Sequence, residues 1–149
     1  MISENSKNML MGTVKEWNKF LADKSKLEAV VSEVAFYTKI VIAEQLQFLK
    51  TQNVEIEAES TDAMAILGVP IQIIPVIEAT YPNVKGSVHL KCGGAMRTII
   101  INPNMSISAG GTPVLLDQLR KAVPDSFAVN AAEFLRDGFL NSARTGGKE

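Results

Sequence analysis

The chain is poor in the side chains that do most enzyme chemistry. Among its 149 residues there is one cysteine, Cys92, one histidine, His89, and one tryptophan, Trp17. A lone cysteine rules out an intrachain disulfide framework and points to a reducing compartment. His89 and Cys92 are three apart in an expected strand, so they point to opposite faces and cannot form a nucleophile–base pair. Two such ligands also fall short of the four that zinc takes. A structural histidine and a small buried thiol are expected instead. No serine sits in a nucleophile-elbow setting, and no lysine completes a P-loop after Gly110-Gly111-Thr112. A non-enzymatic role is therefore favoured, and no cofactor is expected.

A long apolar run is missing as well. The longest mostly apolar stretch, Ala63 to Ala79, is interrupted by Pro70 and Pro75, which excludes a membrane helix there. Met1 to Leu10 lacks the apolar centre of a signal peptide. The expectation is a soluble, cytoplasmic protein. An excess of one charge is also missing, with 15 basic and 16 acidic residues giving a net charge of −1. Without that excess the chain as a whole gives no counterion release to drive nucleic-acid binding, which leaves nucleic acid a weaker fourth reading. Lys15, Lys19, Lys24 and Lys26 cluster locally, and such clusters are commonly just solvated.

What is present is ordinary core-forming material, 46% hydrophobic and 21% charged. The length suits one domain. We expect residues 1–143 to form one α+β domain and 144–149 a flexible tail. Leu10, Val14, Trp17 and Leu21 recur at helical spacing, which predicts a helix from about Lys7 to Ala22. Asp23-Lys24-Ser25 reads as a polar break, and Ser25 with Glu28 matches a capping box. A second, long helix then runs to about Gln52, striped by Leu27, Val30, Val34, Tyr37, Val41 and Phe48. At Val54 the period switches to two, which predicts a half-buried strand with Glu55, Glu57 and Glu59 on one face. Thr61 and Asp62 suit the cap of a short helical turn over 63–67. Val69 to Ile77, with its prolines, reads as an edge strand or extended crossing segment. Ser87–Cys92 and Met96–Asn102 flank Gly93-Gly94 as a hairpin. The continuous run Arg97–Ile101 suggests a strand covered on both faces. Ser106–Gly111 reads as a loop. Thr112 and Pro113 suit a helix start, and a last helix begins at Asp125 or Ser126. The whole is two N-terminal helices, a small mixed or antiparallel sheet of four or five strands, and two C-terminal helices. Helices that flank strands in the chain indicate α+β rather than alternating α/β.

Ile66-Leu67-Gly68-Val69-Pro70-Ile71, followed by proline-punctuated strands and a glycine hairpin, resembles the peripheral-domain segment of tailed-phage capsid shell proteins. The similarity covers about a fifth of the chain. It implies a virion or phage-encoded role and virion residence in that case, and it transfers no functional residue.

Three functional readings follow. The first is an assembly or interaction protein whose partner is a second copy or another protein. Its helix faces would be Leu10, Val14, Trp17 and Leu21 with Val34, Tyr37 and Val41, because a helix apolar on more than one stripe must be central or shared. For Trp17 taken alone, packing in the core is the favoured reading, given its helical-spaced apolar neighbours. The second is a small-molecule-binding regulatory module using Tyr81, His89 and Arg97. The third is a metal-dependent enzyme using Glu55, Glu57, Glu59 and Asp62. Carboxylates two apart on a strand are about 6.5–7 Å from one another, too far to chelate an ion alone.

Overall fold

A computed structural model describes residues 1–144 of the protein. Most of the expected tail, residues 145–149, lies outside the described residues. The chain begins with a helix, α1 (Glu4–Thr51), and continues through seven strands: β1 (Ile56–Ser60), β2 (Ala63–Ile66), β3 (Val69–Thr80), β4 (Asn83–Cys92), β5 (Ala95–Ile101), β6 (Ser106–Ser108) and β7 (Val114–Leu115). Helices α2 (Leu116–Lys121) and α3 (Asp125–Arg144) follow. Each strand pairs antiparallel with the next, giving one seven-stranded meander in sequence order. The class is α+β.

Several local expectations are corrected. The two N-terminal helices are one helix of 48 residues, about 72 Å long at the standard rise. Ser3 caps it, its Oγ accepting from the Ser6 amide at 3.1 Å. Asp23-Lys24-Ser25 continues the helix, since these residues cost a helix interior only modestly and neither Gly nor Pro is among them. Phe20 and Leu27, on either side of the expected break, are both buried. Thr61 and Asp62 cap no helix, because 63–66 forms β2. β3 lies between β2 and β4 in the sheet order, but β2 accompanies it only as far as Ile71. Beyond that point the other edge of β3 has no ladder partner, and Pro75 is tolerated there. β5 is covered on one face only: Ile99 and Ile101 are buried while Met96 and Ile100 are exposed. Ser106–Ser108 is a strand rather than a loop. Thr112 and Pro113 precede β7, and α2 starts four residues after Thr112 at Leu116.

Period-two alternation places one face of the sheet inside. Val88, Leu90 and Cys92 of β4, Ile99 and Ile101 of β5, and Ile107 of β6 are buried with Ile66 and Ile71. α1 lies across β1, β3 and β4, and α3 across β2, β4 and β5. The buried stripe of α1 runs Leu27, Val31, Val34, Thr38, Val41, Ile42 and Leu46, and α3 adds Phe127, Ala131, Phe134 and Leu135. The Thr38 hydroxyl sits in this core by donating to the Val34 carbonyl at 2.8 Å. Gly93 and Gly94 turn β4 into β5 with φ of 53° and 87°, the two positive values that a two-residue hairpin turn needs. Gly86 has a different role. A Cβ built there would lie 2.5 Å from Val31 Cγ2 and 3.1 Å from Leu27 Cγ, so the missing side chain lets β4 approach α1 closely.

Ion pairs tie the helices together. Arg120 of α2 reaches both carboxylate oxygens of Glu33 on α1, at 2.7 and 2.9 Å. Arg97 of β5 meets Glu133 at 3.6 Å and Asp137 at 3.3 Å on α3. The Arg120 guanidinium bonded to Glu33 holds that carboxyl below its ordinary pKa.

Three outcomes follow. Gly86→Ala is expected to cost about 1–3 kcal/mol through overpacking against Val31, lowering Tm by several degrees. Gly12→Ala, where nothing lies within 4 Å of the new Cβ, is expected to leave Tm unchanged and deepen the helical circular-dichroism signal. The Glu33–Arg120 contribution has a fixed sign with pH. A carboxylate with a lowered folded pKa stabilises fully above its unfolded value of 4.5 and loses that contribution as pH falls through the folded value. The pair is partly exposed, so the effect is small. Denaturant titrations from pH 6 to pH 3 are expected to show a shallower acid loss in Glu33→Gln than in the parent chain.

Candidate interaction surface

The long helix outruns the rest of the fold. Every residue from Met1 to Lys19 is exposed. The β3–β4 hairpin leans on α1 and reaches it last at its tip. There the Tyr81 hydroxyl donates to Glu16 Oε2 at 3.1 Å, a bond that raises the Tyr81 pKa. The Tyr81 ring meets Phe20 edge-on at 5.4 Å and Trp17 at 5.9 Å, and Trp17 stacks on Phe20 at 5.3 Å. Residues 4–15 lie beyond this clasp and form an arm about 18 Å long at the helical rise. It carries Met9, Leu10, Met11 and Val14 at 75%, 53%, 55% and 46% exposure.

Leu10, Val14, Trp17 and Leu21 form a single stripe on the arm and its base. At 100° per residue it is turned roughly a quarter turn from Glu16 and Phe20, so the hairpin tip touches only its edge, at Trp17. Trp17, at 47% exposure, belongs to this surface and not to the core. Val34 and Val41 belong elsewhere: they are 0% and 5% exposed and pack within the chain's own core. Tyr37 is half-buried, its hydroxyl donating to Glu33 at 2.9 Å.

The opposite end of α1 carries a second apolar surface. Phe48, Leu49 and Val54 face Leu135, Phe139 and Leu140 of α3 across an open groove of about 620 Å³, edged by Glu44, Gln45, Ala132 and Arg136. Phe48 is 63% exposed and Leu140 43%. Local periodicity names most of these residues, but it cannot pair side chains roughly ninety positions apart in the chain. Glu55 lies in the short link between this end of the helix and β1, and Glu57 and Glu59 lie in β1 itself.

The other candidate groups are not brought together. Tyr81 is at the hairpin tip. His89 lies on the open face of the sheet, its Nε2 3.2 Å from Ser87 Oγ and its Nδ1 3.5 Å from Thr98 Oγ1. Arg97 turns to the other face, towards α3. Glu57 and Glu59 are exposed, and Asp62 pairs with Lys39 at 3.1 Å. Among the described residues no three His, Cys, Asp or Glu side chains are grouped as a metal site. Cys92 is buried on the face opposite His89, and that burial pushes its thiol pKa up. Among the described residues no helix is long and apolar enough to cross a membrane. Ile66–Ile71 forms the end of β2, the turn and the start of β3, with Leu67 and Gly68 at φ of 51° and 79°. No protein-family model matches the chain, and the comparisons with curated proteins and with solved structures find no significant match.

Proposed function

We propose that this protein is a non-catalytic assembly protein that associates with itself through the exposed arm of α1. The observation that carries the reading is the row Leu10, Val14, Trp17 and Leu21, left in water on a helix that projects past its own fold. Apolar surface of this kind gains about 25 cal/mol for each Å² removed from water. Contiguous apolar patches of this sort mark interaction sites more often than idle surface. The projecting segment is also short. As the unpacked end of a longer helix it opens more readily than the packed middle, so a covering surface would stabilise it. Among the described residues no three His, Cys, Asp or Glu side chains are grouped, and the two alternative residue sets are scattered or solvated.

Light scattering coupled to size exclusion, over a concentration series, tests this directly. The expected result is a species heavier than the 16.2 kDa chain that grows with concentration. Leu10→Asp with Val14→Asp is expected to return the chain to monomer without lowering Tm, because neither side chain packs in the core. A parent chain that stays monomeric at high micromolar concentration would contradict the proposal.

A further inference from the structure

The partner surface for the arm can be narrowed further if the chain self-associates as proposed. We infer that the arm of one copy docks in the α1–α3 groove of a second copy, so that assembly runs head to tail. Two surfaces of complementary form are uncovered in each chain: a ridge of apolar side chains at one end of α1, and an apolar groove at the other. From Val14 to Phe48 the helix axis extends about 51 Å. The arm and groove of one rigid helix therefore cannot meet, and only another copy can bring them together.

Charge selects this pairing over an arm-to-arm contact. Residues 4–26 carry five lysines, Lys7, Lys15, Lys19, Lys24 and Lys26, against Glu4, Glu16 and Asp23. Two arms side by side would bring surplus positive charge against itself. The groove end instead carries Glu44 on its edge, with Glu55 just before β1 and Glu57 and Glu59 on it. Lys50 is close to that strand, and Arg136 is already bonded to Asp137 at 3.2 Å. Among the described residues, none of the five lysines and none of these four glutamates enters a salt bridge. A basic arm thus meets an acidic groove end, with apolar side chains between them. Opposite charges around an apolar centre fix orientation and register more than they add affinity. Because the two surfaces differ, the contact is heterologous, and it propagates into open chains unless its geometry closes a ring.

The test is complementation between two blocked variants. Phe48→Gln with Leu140→Gln removes the groove's exposed apolar side chains and leaves the arm intact. Leu10→Asp with Val14→Asp blocks the arm and leaves the groove. Each variant alone is expected to self-associate at least tenfold more weakly than the parent chain. Their equimolar mixture is expected to give a one-to-one dimer of twice 16.2 kDa and nothing larger, because the remaining arm and groove are both blocked. A groove variant that assembles like the parent overturns the head-to-tail contact and leaves the arm proposal standing, with the groove open to another occupant such as an apolar small molecule. If both variants are monomeric and their mixture gives no dimer, the head-to-tail contact is overturned too. An arm variant that assembles like the parent, or a monomeric parent, overturns both readings. Carbodiimide cross-linking of the parent chain needs no variant: links between copies are expected to join Lys7, Lys15 or Lys19 to Glu44, Glu55 or Glu57. Links confined to the arms would contradict the inference.

Discussion

The structure depends on one contact, the apolar stripe of α1 laid across the inner face of the antiparallel sheet. Each of its parts requires the other. A meander of short strands joined by tight turns has one face that must leave water, and α1 covers that face from Gly86 to the end of β1. The helix in turn is held by the sheet along its middle. Val31 and Leu27 close over Gly86, and Phe20 meets the hairpin tip, so its middle is held at several levels along the axis. α3 then fills the space beside α1 over β4 and β5, and the pairs Arg120–Glu33 and Arg97–Asp137 fasten the helices at the margins. Those pairs are partly exposed and orient the elements more than they hold them.

A helix longer than the sheet it covers has ends that the fold does not use. At the N-terminal end the hairpin stops at Tyr81 and the helix continues. At the C-terminal end α1 and α3 leave an open groove lined by Phe48, Leu49 and Phe139. The two exposed apolar surfaces thus have one structural cause. The outer face of the sheet is also open, with Ile74, Met96 and Ile100 among its exposed side chains. There they are interspersed with Lys85, Lys91, His89 and Thr98, so the apolar area is broken up in a way that the arm stripe is not.

Much of this arrangement was legible in the residues, because periodicity reports burial. The shift from period 3.6 to period two at Val54, the Gly93-Gly94 hairpin and the start of the last helix each carry a local signal. The failures also have local causes. Asp23-Lys24-Ser25 has the composition of a helix boundary, and what carries α1 through it is tertiary: Phe20 on one side and Leu27 on the other pack on the same side of the helix. Ala63–Ile66 is too short for its period to separate a helical turn from a strand. Thr112-Pro113 resembles a helix start but leads first into a two-residue strand. Within the candidate site, the stripe from Leu10 to Leu21 was visible, whereas its exposure was not, because spacing shows that side chains share a face and not what that face meets. Val34 and Val41 shared the pattern and went to the core, and Tyr37 is half-buried against it. The groove was not visible at all as a site, because it exists only where α3 comes to lie beside the end of α1.

The central claim is that the arm stands in water in the single chain and is covered when copies meet. Hydrogen exchange read by mass spectrometry at low and high protein concentration reports this residue by residue. The account expects amides of residues 5–15 to exchange fast when dilute and to gain protection when concentrated, with slower exchange appearing together in 44–54 and 132–140. Exchange over 5–15 that does not change with concentration would contradict it.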